Sequence, residues 1–308
     1  MKAGIYPVRR REVKMSLGLR FQRLMHKQGV IAMGFLAPSV LGFSLFYLIP
    51  FVIGIVYSFM DKTSGGVFVG LANYETVLGS GSFRKAALNT LWFTAVGVPL
   101  LIVVSLVLAL LLNGNVYFRR WIRTAYIFPL VVPVASVVMI WQIIFDWNGS
   151  LNAWLYGLDW GRIDWMKSEW ARAVLLIVYL WKYVGYNMIL FLAGLQGIPK
   201  DYYETADLEG AGPVRKLFNI TLVYLTPTMF FVVLISIINS FRIFRETYLI
   251  AGNYPHDSIY MLQHYMNNMF MSLDVQKLTA AAVLMVICIL AIVSGMLSLE
   301  RWFRRFME

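Results

Sequence analysis

The sequence predicts an all-α, polytopic membrane protein of six transmembrane helices, on three observations. Of its 308 residues, 59% are hydrophobic and 14% charged, where a soluble domain carries about 25% charge. Uncharged runs occupy 28–60, 86–118, 124–145, 217–241 and 278–299, and each is long enough to cross about 30 Å of hydrocarbon as a helix of roughly 20 residues. The Lys and Arg between those runs fall mostly in alternate loops, as expected where positive charge is retained on the cytoplasmic side.

Taken in order, the spans are placed near 30–59, 86–112, 122–146, 171–197, 217–248 and 277–299, forming one transmembrane domain over 30–299. The first follows a basic arm at 1–29 that contains Arg9, Arg10, Arg11, Lys14, Arg20, Arg23 and Lys27. A run of full spanning length after such an arm reads as an orienting anchor rather than a cleavable signal peptide. An even number of spans puts both termini on one side, and most of the 27 Lys and Arg lie on that side. The arm and the tail at 300–308 are therefore expected to be cytoplasmic, in a multi-pass membrane protein. The outer loops near 60–85 and 147–170 carry Trp147, Trp154, Trp160 and Trp165, which suit the headgroup level, or else the stacking of a solute.

Several chemistries are excluded. The net charge of +11 is accounted for by the cytoplasmic loops, so no nucleic acid partner is expected; membrane lipid is. The single cysteine, Cys288, cannot form an internal disulfide or a cysteine-based metal cluster. No phosphate-cradling G-x-x-x-x-G-K-[ST], H-E-x-x-H or G-x-S-x-G occurs in the chain, which leaves no basis for a self-contained ATPase, zinc protease or serine hydrolase. His256 and His264 stand eight apart without a carboxylate partner and read as solvated loop histidines rather than metal ligands.

The segment between the fourth and fifth spans is the most informative. It reads Gly197-Ile198-Pro199-Lys200-Asp201-Tyr202-Tyr203-Glu204-Thr205-Ala206-Asp207-Leu208-Glu209-Gly210-Ala211-Gly212-Pro213. Pro199 suits the first position of a helix, Asp201 and Glu204 its positive N-terminal end, and Gly210 with Gly212-Pro213 its stop, giving a surface helix of about three turns. Four acids sharing it with Tyr203, Ala206 and Leu208 suit a groove on a protein partner better than an anionic leaflet.

Ile198-Pro199, Tyr203-Glu204-Thr205-Ala206, Glu209-Gly210-Ala211, Ile220-Thr221-Leu222 and Pro227 together resemble the EAA motif of binding-protein-dependent ABC importer permeases. Thr205 stands for an alanine, Glu209 for an aspartate, and Val223 for a usual proline, a change expected to straighten the start of the fifth span. Leu36-Ala37-Pro38 with Pro50, Gly70-Leu71-Ala72-Asn73-Tyr74, Asn89-Thr90 and Phe191-Leu192-Ala193-Gly194-Leu195-Gln196 extend the likeness to the carbohydrate-type permeases, whereas Ala251-Gly252-Asn253-Tyr254-Pro255 departs from that group's glycine-rich turn.

The resemblance implies the ABC importer permease fold and a transport role without catalysis by this chain. It implies a second homologous permease subunit, two cytoplasmic ATPase subunits that hold ATP and Mg, and an extracytoplasmic solute-binding protein; no cofactor is expected on this chain. Residues about 198–215 become a coupling loop in which Tyr203, Glu204, Ala206, Glu209, Gly210 and Ala211 meet the ATPase. Nucleotide-driven closure would then rock the permease between two access states.

Lys182, Arg242, Arg245 and Glu246 fall inside or at the ends of spans, where ions are costly enough to mark function. They either snorkel to headgroups with a local ion pair or line the solute path. Asn239, Arg242 and Glu246 are spaced for one helical face. With Trp181, Lys182 and Asn187 they form the candidate substrate path, suited to a sugar or oligosaccharide. The two arginines would equally suit an anionic solute such as a glycerophosphodiester or an acidic glycan. A channel would need a re-entrant pore segment and a membrane enzyme a cluster of polar groups at one face, and neither pattern is visible.

Overall fold

The computed structural model describes residues 28–114 and 117–307, so nearly all of the basic arm at 1–29 lies outside the described residues. Within them the chain is helical, with a lone antiparallel bridge between Met60 and Phe68. Six helices are long and apolar enough to span a membrane: Ala32–Ser58, Gly81–Asn113, Val134–Tyr156, Ala171–Gln196, Pro213–Ala251 and Val275–Trp302.

The chain divides into two units, residues 1–56 and 57–308. In the first, α1 (Gln28–Phe43) passes through a π-turn (Ser44–Leu48) into α2 (Ile49–Ser58). The π-turn precedes Pro50, whose ring and missing N–H disturb the ladder on its N-terminal side.

The second unit holds α3 (Ala72–Gly79), α4 (Gly81–Asn113), α5 (Arg119–Val131), α6 (Val134–Phe145), α7 (Ser150–Tyr156), α8 (Ala171–Gln196), α9 (Asp201–Leu208) and α10 (Pro213–Lys216). A π-turn (Leu217–Thr221) follows, then α11 (Leu222–Phe241), α12 (Phe244–Ala251), α13 (Leu262–Met271) and α14 (Val275–Met307). The last helix runs on through the residues assigned to a tail.

Helix α8 is the hub, packed against α4, α5 and α11. Its buried face carries Leu175, Tyr179 and Tyr183 toward Phe93 and Leu101 of α4, then Met188, Phe191 and Leu195 toward Leu225 of α11. These intervals of three to five along a helix of 26 residues keep the buried side chains on one face at the helical period. Gly185 allows the closest approach: a Cβ there would stand 1.8 Å from the Tyr126 carbonyl oxygen, so α5 lies directly on the backbone of α8.

The third span differs from its expected position at 122–146. It breaks at Val132, whose ψ is 135°, because the ring of Pro133 forces the residue before it out of helical conformation. The fifth span is also interrupted twice, by the π-turn at 217–221, just before the Val223 expected to straighten its start, and by a break at Arg242–Ile243 between α11 and α12.

Asn152 is fully buried and organises the loop after α7: its amide donates to the Ile163 carbonyl at 2.8 Å and its oxygen accepts from the Trp165 indole at 3.0 Å. Trp147, Trp154 and Trp160 are exposed, as side chains meeting an interface would be.

Candidate functional site

Two regions carry the residues singled out in the sequence, one just beyond the C-terminal end of α8 and the other at its middle. At its C-terminal end Gly197 and Ile198 close a turn, with Ile198 buried among Leu195, Phe191 and Leu225. Helix α9 starts at Asp201, with Lys200 as its N-cap. It has two turns rather than the expected three, and Pro199 precedes the cap instead of occupying the first helical position. The reason is that the buried Ile198 fixes the path of the chain before the helix can start.

The end of α9 is specified by backbone geometry. Gly210 has φ of 74°, its N–H donates to the Asp207 carbonyl at 3.1 Å, and the Ala211 N–H donates to the Ala206 carbonyl at 2.8 Å. These two bonds satisfy carbonyls that a helix end leaves orphaned, and the left-handed conformation they need suits glycine.

One face of α9 holds it to the protein. Ala206 is buried, and the half-buried Tyr203 shares a hydrogen bond with the Thr221 hydroxyl at 2.9 Å. The opposite face presents Asp201, Glu204 and Leu208, all exposed, at spacings of three and four. Asp207 pairs with Lys216 at 2.6 Å, and Glu209 and Gly210 are exposed while Ala211 is half-buried. Thr221, reached through the π-turn, is the residue here whose role its sequence did not suggest.

The second region is a polar seam between α8 and α11–α12. Lys182 forms an ion pair with Glu246 of α12, and Glu246 is 1% exposed. Asn187 donates to the Ser236 hydroxyl at 2.8 Å, and the Tyr179 hydroxyl donates to the Ser236 carbonyl at 2.8 Å. Thr94 of α4 and Ser240 share a hydroxyl bond at 2.8 Å.

The structure corrects two expectations here. Asn239, Arg242 and Glu246 do not share one helical face, because the helix breaks at Arg242; Arg242 is exposed while Glu246 is buried. Glu246 is not paired locally with an arginine at the headgroups but across helices with Lys182. Of the remaining candidates, Trp181 is exposed and Asn239 half-buried, whereas Asn187 is fully buried. Glu246 Oε2 and Asn187 Oδ1 have no hydrogen-bond partner among the described residues. Ser236, Tyr179, Thr94 and Ser240 complete the seam without a sequence signal, since small hydroxyls in apolar runs are common packing residues.

His264 is a third correction. Far from being solvated, it is fully buried in α13, its ring edge-on to Phe244 with centroids 4.8 Å apart. Its Nδ1 accepts from the Met261 N–H at 3.2 Å. Burial holds its pKa down at about 4.

Six helices long and apolar enough to span a membrane, with a short acidic helix held to the π-turn by Tyr203 and a buried polar seam between α8 and α11–α12, define a multi-pass membrane protein. Comparison with known proteins specifies it. The profile of the family described as "Binding-protein-dependent transport system inner membrane component" matches residues 101–308, and the chain belongs to that family.

Among relatives, it is 38% identical over 224 residues to the arabinooligosaccharides transport system permease protein AraP of Bacillus subtilis (strain 168), covering 71% of each chain. It is 31% identical to the sulfoquinovosyl glycerol transport system permease protein SmoG of Agrobacterium fabrum (strain C58 / ATCC 33970), covering 83% of this chain and 85% of that one. Its fold matches a chain of a bacterial ABC transporter involved in the import of the acidic polysaccharide alginate, with a TM-score of 0.79 and 21% identity over 92% of this chain and 98% of that one. The protein is thus a permease component of a binding-protein-dependent ABC importer.

Proposed function

We propose that this permease carries a neutral oligosaccharide across the cytoplasmic membrane by alternating access, driven through α9 by ATP hydrolysis on separate subunits. The solute reading is supported by the oligosaccharide named for the relative AraP and by the seam, where Lys182 is neutralised by Glu246. In this assembly a second homologous permease and two cytoplasmic ATPases, holding ATP and Mg, join the chain. An extracytoplasmic binding protein delivers solute, both termini are cytoplasmic, and the chain itself carries no cofactor and no catalysis.

The observation that carries the coupling is the two-faced geometry of α9. Its inner face is fixed to the π-turn by Tyr203 and Thr221, and its outer face offers Glu204 and Leu208 to a groove. Glu204 faces basic groups of the ATPase, while Gly210 and Ala211 keep the following turn small enough to seat. Because α9 joins α8 to α11, and those helices are cross-linked by Asn187–Ser236 and Tyr179–Ser236, a push on α9 moves them as one body. Trp181, Lys182, Asn187, Asn239, Arg242 and Glu246 lie on that body, and the unpaired oxygens of Glu246 and Asn187 become acceptors for solute hydroxyls when it moves.

An anionic solute is the second reading, supported by the exposure of both Arg242 and Arg245. The test is Glu204→Lys in the reconstituted importer. Loss of ATPase association, with the permease still inserted and folded, is expected. Wild-type association and uptake would sink the coupling role. Parallel uptake of neutral and acidic trisaccharides decides the solute.

A further inference from the structure

A cavity in the second unit lies apart from α9. It has a volume of about 460 Å³ and sits between the C-terminus of α3, the start of α4, residues 254–260, α13 and the start of α14. This size falls in the range of roughly 300–1,000 Å³ typical of small-molecule sites. No part of the coupling segment or of the seam contributes to it.

Its walls are aromatic and hydroxylated. Tyr254, Tyr260 and Tyr265 converge on it with Asn268, Ser80 and Lys277. Tyr265 is 2% exposed, and its ring packs edge-on against Phe83 with centroids 5.4 Å apart. Asn268 is 9% exposed and donates to the Tyr260 hydroxyl at 3.1 Å. Tyr254 stands at the rim, 81% exposed, beside a hydrogen bond of 3.2 Å that the Asn267 side-chain amide donates to Asn253 Oδ1 and that ties this rim to α13. The inner groups are therefore held in place, and the outer ring is free to meet a ligand.

Charge decides the ligand class. Among the described residues Lys277 is the one cation in the lining, and it is paired with Asp274 at 2.6 Å. A phosphate, a uronate or an anionic lipid headgroup would need an uncompensated cation, which this wall does not offer. An acyl chain would leave the hydroxyls and the amide desolvated without partners. A saccharide satisfies both demands, with its C–H face on tyrosine rings and its hydroxyls on the amide and hydroxyl groups.

We propose that this cavity is an entry subsite for a neutral saccharide, holding solute outside the membrane before the translocation path opens. The inference rests on the oligosaccharide reading above and on the same orientation of the chain. It adds Tyr254, Tyr260 and Asn268 as solute-contacting residues that act before any movement of α9.

The test uses the intact importer in nanodiscs without binding protein, probed by saturation-transfer NMR with neutral pentose and hexose trisaccharides and with trigalacturonate and glycerol 3-phosphate as charged arms. Neutral trisaccharide should give saturation transfer, and Tyr254→Ala and Asn268→Ala should each weaken apparent affinity about fivefold, as loss of a stacking ring or a fixed hydrogen-bonding group would. Because Tyr254 is exposed, its replacement keeps the test valid if Asn268→Ala fails to fold. Saturation transfer from the charged probes alone, or transfer from neutral trisaccharide unchanged in the folded variants, would overturn the subsite. A Tyr254→Ala importer that binds trisaccharide normally but no longer recruits its binding protein would reassign the cavity to protein docking and overturn it too. A wild-type importer that takes up no neutral saccharide would sink the solute reading itself, and the subsite with it; normal uptake with unaffected variants sinks the subsite alone.

Discussion

The coupling segment and the polar seam use the same kinds of side chain in opposite ways. In α9 the acids Asp201 and Glu204 point away from the protein into solvent, where an unpaired carboxylate costs little and is available to a partner. In the seam, Glu246 and Lys182 point at one another across two helices, because an isolated ion in a low-dielectric interior is prohibitively expensive. In α9, then, exposure leaves available the residues proposed to meet the ATPase. In the seam, burial makes each polar group's role depend on a partner elsewhere in the chain.

The largest expected effect breaks the seam. Lys182→Met leaves the Glu246 carboxylate buried and unpaired, and should destabilise the protein by about 3–5 kcal/mol. The double variant Lys182→Met/Glu246→Leu should recover most of that loss, since an apolar pair of similar volume removes both charges. Thermal unfolding of the purified chain in detergent checks both. A single variant as stable as the parent would show that the pair does not hold α8 to α12.

A second buried polar group sharpens the contrast through pH. His264 has a pKa of about 4 in the fold, below the ordinary value of about 6.5. As pH falls through 6.5 the unfolded chain takes up a proton that the folded chain refuses, so this stability is complete above pH 6.5 and is lost progressively toward pH 4. Protonation would also set a second donor against the Met261 N–H. The loss should approach about 2–3 kcal/mol. His264→Gln should flatten the melting-temperature profile between pH 7 and 5, and an unchanged slope would mean that His264 is not the group responsible.

The coupling segment should be less costly to disturb and more costly to function. Gly210→Val places a β-branched residue at a φ of 74°, a strain of about 1–2 kcal/mol confined to the end of α9. The spans should remain folded while ATPase association and uptake fall. Gly210→Asn, whose side chain tolerates the left-handed region, should retain more of both. Equal behaviour of the two variants in a pull-down would argue that the turn is not what seats the helix.

How far each region was legible follows the same division. The stop of α9 at Gly210, its acidic first turn and five of the six spans are local signals, and they lie where the sequence put them; the third span is displaced toward the C-terminus. The break at Val132–Pro133 was also readable from Pro133. The break at Arg242–Ile243 carries no Pro or Gly, so an unbroken helix put Arg242 and Glu246 on one face when they diverge. The Lys182–Glu246 pair joins residues 64 apart in the chain, and Ser236 is one of many small residues in its run. His264 looks like any loop histidine until α13, a helix too short to stand out from its polar flanks, buries it. Pairings between distant helices are what the local pattern could not reveal.

The smallest expected effect lies where the two regions meet. Tyr203→Phe removes only the hydroxyl that joins α9 to Thr221 at 2.9 Å. The Thr221 hydroxyl also bonds the Lys216 carbonyl at 3.3 Å, so it is not left orphaned, and the stability loss should be about 0.5–1 kcal/mol. The ring of Tyr203 still packs with its neighbours, so α9 should form and the ATPase should still associate. What changes is transmission: without the bond, part of a displacement of α9 is absorbed at the π-turn instead of reaching α11. The ratio of ATP hydrolysed to solute moved should therefore rise while hydrolysis itself stays near normal. Thr221→Val should raise the ratio in the same direction, and the double variant should add little to either single one, because both remove the same bond. Effects that simply add would show that Tyr203 and Thr221 act separately, and the route from α9 into α11 would then have to run through the packing of Ile198 and Leu225 instead.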